Sequence, residues 1–261
     1  MNNSFKEGST LMELKNICLS FGGLKALQSV NLKIFTQEVL AIIGPNGAGK
    51  SSMLNVISGI YHPQEGDVYW DRNLRPTIKP HDIARFGIAR TFQNIALFRG
   101  MNALDNILTG RNSLMKRSLF LEALYSGWAK KQEMYHRDKA EEIIEFLEIE
   151  SIRKVPVSRL PYGLQKRVEL GRALAAEPKI LLLDEPMAGM NLEEKEDMCR
   201  FVLDANQQLG ITIVLIEHDM GVVMDISDRV AVLDYGRKIA DGPPESVRKN
   251  QKVIDAYLGA N

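Results

Sequence analysis

The segment Gly44-Pro45-Asn46-Gly47-Ala48-Gly49-Lys50-Ser51 follows an apolar run, Val39-Leu40-Ala41-Ile42-Ile43, and opens a helix-compatible stretch from Ser52 to Ser58. A glycine-rich loop between a buried strand and a helix start is a phosphate cradle in its required setting, and few local patterns restrict the possible folds as strongly. Glycines let backbone N–H groups close around β- and γ-phosphates, and the helix N-terminus adds its dipole. Lys50 supplies a point charge, and the Ser51 hydroxyl can ligate Mg²⁺. Residues Gly44, Pro45, Asn46, Gly47, Ala48, Gly49, Lys50, Ser51 and Ser52 are therefore expected to bind a nucleoside triphosphate.

With 261 residues and 45% hydrophobic content, the chain can bury the core of one large domain, or of one domain with a subdomain. Its 33 basic residues balance 33 acidic ones, so no global field draws it to nucleic acid or anionic lipid. Residues 1–9 contain no apolar core of signal-peptide type, and no later run approaches the roughly 20 apolar residues needed to span a bilayer. The expectation is a soluble cytoplasmic chain. Cys18 and Cys199 are far apart and lack metal-ligand spacing, which predicts reduced thiols with structural or neutral roles.

From Leu11 to Phe35 apolar and polar residues alternate as in an antiparallel sheet, and Gly66 to Trp70 suggests another strand. Between Asn102 and Leu147 helical signals take over, interrupted at Gly110 and Ser126-Gly127. Within that insert, Asn112 to Arg137 carries Lys116, Arg117, Lys130 and Lys131 beside Leu119, Phe120, Leu121, Leu124, Tyr125 and Trp128. Such a segment reads either as an amphipathic docking face or as helices packed on their own domain. Gly163 to Ala176 predicts a helix, and Ile180 to Leu183 and Ile211 to Ile216 predict buried strands flanking a helix from Leu192 to Leu209. A hairpin is expected around Asp234 to Arg237. The resulting fold class is α/β: a P-loop NTPase core with an antiparallel β subdomain and a helical subdomain.

Asp184-Glu185 ends a four-residue apolar run, where open α/β sheets build their sites. Asp184 is expected to hold Mg²⁺ through water, and Glu185 to polarise the water that attacks the γ-phosphate. His218, in Glu217-His218-Asp219 at the end of another buried run, can reach the γ-phosphate if its strand neighbours that of Asp184. A capping segment with an incidental histidine is the bland alternative, and Asp219 is expected to begin a helix. Gln93 follows a short strand-like piece and offers a neutral oxygen to Mg²⁺ or to the attacking water.

The order of phosphate loop, Gln93, Leu160-Pro161-Tyr162-Gly163-Leu164-Gln165-Lys166-Arg167, Leu183-Asp184-Glu185-Pro186 and His218 resembles the ATP-binding subunits of ABC transporters from about Leu11 onward. Phe21 to Ala26, Arg90 to Phe98, Ala188 to Asn191 and Ile216 to Met220 look most like the branched-chain amino-acid uptake group. Importers for urea, amides or other amino acids share much of this wording. The resemblance implies residues 1–10 as a tail and 11–261 as one ABC-type ATPase domain, with a helical subdomain inserted at about 94–176. It also implies a head-to-tail pair of such domains, as a homodimer or a heterodimer, closing on ATP and Mg²⁺. In that pair Phe21 matches the aromatic that stacks on adenine, and Gly163 matches the signature glycine facing the partner's γ-phosphate. Asn191 matches the loop that reaches across the dimer.

The signature usually reads Leu-Ser-Gly-Gly-Gln. Here Pro161 replaces the serine, Tyr162 the first glycine and Leu164 the glutamine. Proline has neither hydroxyl nor N–H, so one donor is missing, and the Tyr162 phenol is the conjectured substitute. The implied function is the ATP-hydrolysing subunit of an importer, peripheral on the inner face of the cell membrane. Its permease subunits are separate chains, a solute-binding protein acts indirectly, and nucleic acid has no part. A non-transport ABC ATPase would call for a long coiled-coil insertion or tandem cassettes, and neither is seen. An unrelated phosphate-loop kinase leaves Tyr162-Gly163 and His218 without a role.

Overall fold

A computed structural model describes residues 8–74, 80–115 and 127–258. Most of the expected N-terminal tail, and the part of the basic, apolar insert at 116–126, lie outside the described residues.

The long alternating segments become β1 (Thr10–Phe21) and β2 (Leu24–Phe35), paired antiparallel. On one face Met12, Leu14, Val30, Leu32 and Ile34 are buried, as a strand with one wet side requires. The continuous apolar run Val39–Ile43 is β3, buried on both faces. It leads through the phosphate loop into α1 (Lys50–Ile57). Then come β4 (Glu65–Trp70), β5 (Asn73–Leu74) and the short β6 (Ile88–Arg90).

Among the described residues three α-helices follow: α2 (Ala103–Gly110), α3 (Gly127–Phe146) and α4 (Tyr162–Leu174). The alternation resumes with β7 (Ile180–Asp184), α5 (Leu192–Gln207), β8 (Thr212–Ile216) and α6 (Met220–Ile226). The expected hairpin forms as β9 (Arg229–Asp234) and β10 (Arg237–Gly242), before α7 (Pro244–Arg248) and α8 (Gln251–Leu258) close the described chain.

β2, β1, β4 and β5 form one four-stranded sheet; the other, six-stranded, has the order β10-β9-β3-β8-β7-β6. β3 is parallel to both β8 and β9, and β7 is parallel to β8 and β6. Those parallel strands therefore present their carboxyl ends along one edge, and every motif singled out on them projects there. One core cluster joins the antiparallel sheet and α1 to one face of the parallel sheet, through Ile17, Leu40, Met53 and Val214. Another unites α2, α3, α4 and α5 with the other face of the parallel sheet, through Ile107, Ile144, Val168, Leu183 and Phe201.

Candidate functional site

The phosphate loop owes its shape to backbone conformations that side chains resist. Gly44, Gly47 and Gly49 have φ of 147°, 79° and 102°. A Cβ at Gly44 would lie 2.0 Å from the Leu233 carbonyl oxygen, and one at Gly49 would lie 2.6 Å from that of Ala26. The space at Gly47 is open, as a backbone approached by a ligand requires. Lys50 is buried, and its Nζ donates to the carbonyl oxygens of Gly44 at 2.7 Å and Pro45 at 2.9 Å. Burial holds its pKa below the ordinary lysine value, while Glu185 and Asp184 oppose that shift.

β7 and β8 are in register, with Asp184 opposite Ile216, so the residues after each strand end are neighbours. Glu185 turns out of β7 in the left-handed region at φ 51°, its N–H donating to the Ile216 carbonyl at 2.9 Å. Such a conformation is uncommon for a residue with a side chain and clusters at functional sites. Its Oε2 accepts from Gln93 Nε2 at 2.9 Å, and its Oε1 lies 2.8 Å from His218 Nε2. Gln93, Glu185 and His218 thus meet although they come from separate segments, and the strand adjacency on which the reading of His218 depended is present. Asp219 starts α6, accepting from the N–H groups of Gly221 and Val222.

Asp184 lies beside them but faces inward, where its Oδ2 accepts from Arg90 Nη2 at 2.8 Å. The same guanidinium donates to Asn55 Oδ1 on α1, linking the ends of β6 and β7 to the helix behind the phosphate loop. Glu217 is buried and accepts from the N–H groups of Met187 at 2.9 Å and His218 at 3.1 Å, fixing the turns that carry Glu185 and His218. Sequence reasoning assigned no role to Arg90, Asn55 or Glu217. Arg90 and Glu217 end apolar runs, which is their one local signal, whereas Asn55 sits inside the run Met53 to Ile57 and gives none.

A cleft of about 320 Å³ runs along the loop, lined by Phe21, Ala26, Asn46 to Ser52, Glu185 and His218. Phe21 is 46% exposed at its rim, edge-on to Tyr61 with ring centroids 5.1 Å apart. An exposed aromatic at the rim of a cleft lined by a glycine-rich loop suits a purine base joined to phosphates. The oxygens of Ser51, Gln93 and Asp184 are hard donors of the kind Mg²⁺ takes. Among the described residues no group of three or more His, Cys, Asp or Glu could hold a metal. The residues present fit an ion completed by substrate phosphates and water, which is how Mg²⁺ is usually bound.

Tyr162 and Gly163 do not line this cleft. They begin α4 after Pro161, an N-cap with no side-chain hydrogen bond. Gly163 is packed so closely on α5 that a Cβ there would lie 2.2 Å from Glu194 Oε1. The Tyr162 ring lies against Gly189, the phenol oxygen 3.7 Å from where a Cβ of that glycine would sit. Asn191 caps α5 in a capping box with Glu194.

Residues 27–188 match the family described as ABC transporter, and residues 237–261 match that described as branched-chain amino acid ATP-binding cassette transporter. The chain is 37% identical over 249 residues to a high-affinity branched-chain amino acid transport ATP-binding protein of Escherichia coli (strain K12), covering 95% of this chain and 98% of that one. Its structure is similar to the ADP conformation of an ATP-binding cassette of an ABC transporter, with TM-score 0.83, 33% identity and coverage of 96% and 99%. It is also similar to a dimeric post-hydrolysis cassette bound to ADP and Pi, with TM-score 0.75, 28% identity and coverage of 90% and 99%.

Proposed function

We propose that this chain, which belongs to the ABC transporter family, is the ATP-hydrolysing subunit of a multi-component importer for branched-chain amino acids. The observation that carries the reading is the convergence of Lys50, Glu185 and His218 on one cleft, with Gln93 hydrogen-bonded to Glu185 behind it. Phosphates seated on the loop amides attract the Lys50 ammonium, which exchanges the Gly44 and Pro45 carbonyls for them. Phe21 stacks on the base. Glu185, held on both oxygens, accepts a proton from the water that attacks the γ-phosphate. The Gln93 carbonyl oxygen is left for that water or for Mg²⁺, since its amide nitrogen is the atom donated to Glu185. Ser51 and Gln93, with Asp184 through water, would hold Mg²⁺, and the ion would supply positive charge against the charge developing in transfer.

Because Tyr162 and Gly163 lie away from this cleft, their roles require a second copy or a sister subunit arranged head to tail. The α4 N-terminus would then face the nucleotide of the other subunit. Among the described residues no helix is long and apolar enough to cross a membrane, so this reading assigns the translocation path to separate permease chains. Their docking surface is assigned to Phe98 and Met101 after Gln93 and to the face of α3 with Lys130, Lys131, Met134 and Tyr135, all exposed. A solute-binding protein acts through those permeases, and the subunit sits on the inner face of the membrane.

Gentle-detergent purification of the tagged protein from its native membrane tests this. Membrane-spanning chains should co-purify, and reconstituted vesicles should accumulate leucine, isoleucine or valine only with ATP. Reversing charge at Lys130 and Lys131 should weaken co-purification and spare nucleotide binding. Recovery without any membrane chain would contradict the importer reading.

A further inference from the structure

Gln93 sits on an exposed stretch, yet its backbone is gripped from beneath by one face of α4. Lys166 and Glu169, one turn apart, have side chains only 2% and 1% exposed and form an ion pair at 3.6 Å. Lys166 Nζ donates to the Gln93 carbonyl oxygen at 3.2 Å, and Glu169 Oε1 accepts from the Ala96 N–H at 3.3 Å. One turn further, Arg172 donates to the Ala96 carbonyl. Three charged residues on a single helical stripe therefore hold the main chain of one short loop.

Burying an ion pair is costly, and an apolar pair of similar volume would commonly be as stable or more so. The arrangement does supply a fixed distance. The helix that begins with Tyr162 and Gly163 is tied to the residue that touches Glu185, and the Lys166 ammonium also lies 5.9 Å from the centre of the Tyr162 ring.

We propose that Lys166, Glu169 and Arg172 are positioning residues, which set the Gln93 carboxamide on Glu185 according to where α4 lies. None of them touches the cleft itself. A displacement of the α4 N-terminus is transmitted through Lys166 to the Gln93 carbonyl and so to the carboxylate that receives the proton. This inference rests on the assignment of Glu185 and Gln93 to hydrolysis.

The test is a double-mutant cycle in the full chain, with ATP turnover and ATP affinity measured separately. Lys166→Met should lower kcat by about 10- to 100-fold, the scale of a misplaced catalytic group, while the Kd for ATP stays within about twofold. In a Gln93→Ala background the same substitution should cost nothing further, because its effect passes through Gln93. Glu169→Gln keeps an acceptor for Ala96 and the side-chain volume, and serves if Lys166→Met does not fold; it should lower kcat in the same selective way. Lys166→Arg should restore most of the turnover. Effects that multiply in the double mutant, or a kcat unchanged in both Lys166→Met and Glu169→Gln, would overturn the proposal. Full turnover by Glu185→Gln in the same assay would instead remove the assignment beneath it.

Discussion

The Oε1 of Glu185 lies 2.8 Å from Nε2 of His218, across the junction of two adjacent parallel strands. With Gln93 on the other oxygen, the carboxylate is oriented from both sides. Substituting His218 by Ala frees one of them and leaves the fold alone, since the histidine side chain is 47% exposed. The kcat for ATP should fall by about 10²-fold, as expected when a catalytic group drifts by about an ångström. Steady-state hydrolysis measured beside a thermal melt checks both halves of the statement.

Arg90 and Asp184 should contribute chiefly through each other. Their side chains are 11% and 10% exposed, and the guanidinium also reaches Asn55. Arg90→Met leaves a buried carboxylate without its partner and should destabilise the protein by about 3–5 kcal/mol. Asn55→Ala removes one charge-assisted hydrogen bond and should cost about 1.5–3 kcal/mol. Urea unfolding of both variants gives the ranking, and an Arg90→Met protein as stable as its parent would refute the pairing.

At Tyr162 the phenol has a definite neighbour within its own chain, Gly189. If the hydroxyl also serves the composite site, Tyr162→Phe should leave ATP affinity intact and weaken ATP-driven dimerisation by about 0.5–1.5 kcal/mol, or about 1.5–3 kcal/mol if it meets charged phosphate. Analytical ultracentrifugation in Mg-ATP, in a hydrolysis-deficient background, reads this difference directly. Dimerisation equal to that of the parent would make the ring a packing element.

Burial pushes the Glu217 carboxyl above the ordinary carboxylate range, against the hydrogen bonds from the Met187 and His218 amides, while Glu185 adds to the rise. The folded protein then holds this proton more tightly than the unfolded chain. The associated stability is complete below the unfolded pKa and is lost as pH rises through the folded one. Glu217→Gln keeps an acceptor for Met187 and removes the titration. Urea midpoints of the two proteins between about pH 4 and 7 should show the parent losing stability relative to the variant as pH rises. A constant difference would count against a raised folded value.

Legibility followed the range of the interactions. Val39–Ile43, Ile180–Asp184 and Thr212–Ile216 stood out because strands buried on both faces must be continuously apolar, and the phosphate loop because its glycines tolerate no substitute. The carboxylate and the histidine were visible as polar residues at the ends of such runs. Their direct contact depended on the strand order β3-β8-β7, which no local pattern encodes. Arg90 is separated from Asp184 by 94 positions, and Lys166 from Gln93 by 73, so neither pair leaves a trace in spacing. The predicted helix Gly163 to Ala176 begins instead at Tyr162 and ends at Leu174, a boundary difference of the usual size. Helices α7 and α8 leave no legible pattern in the sequence, because five and eight residues give too little periodicity.

The central claim is that Glu185 receives the proton from the attacking water, and it is tested most directly by Glu185→Gln with radiolabelled ATP. Single-turnover hydrolysis and ATP retention should be followed in one sample. Hydrolysis should fall by about 10²–10⁴-fold, the range for a lost general base, with ATP still bound and a dimer accumulating in Mg-ATP. Turnover at the parental rate in a folded, ATP-binding Glu185→Gln protein would contradict the account and move the role of base to another residue, with His218 the first to examine.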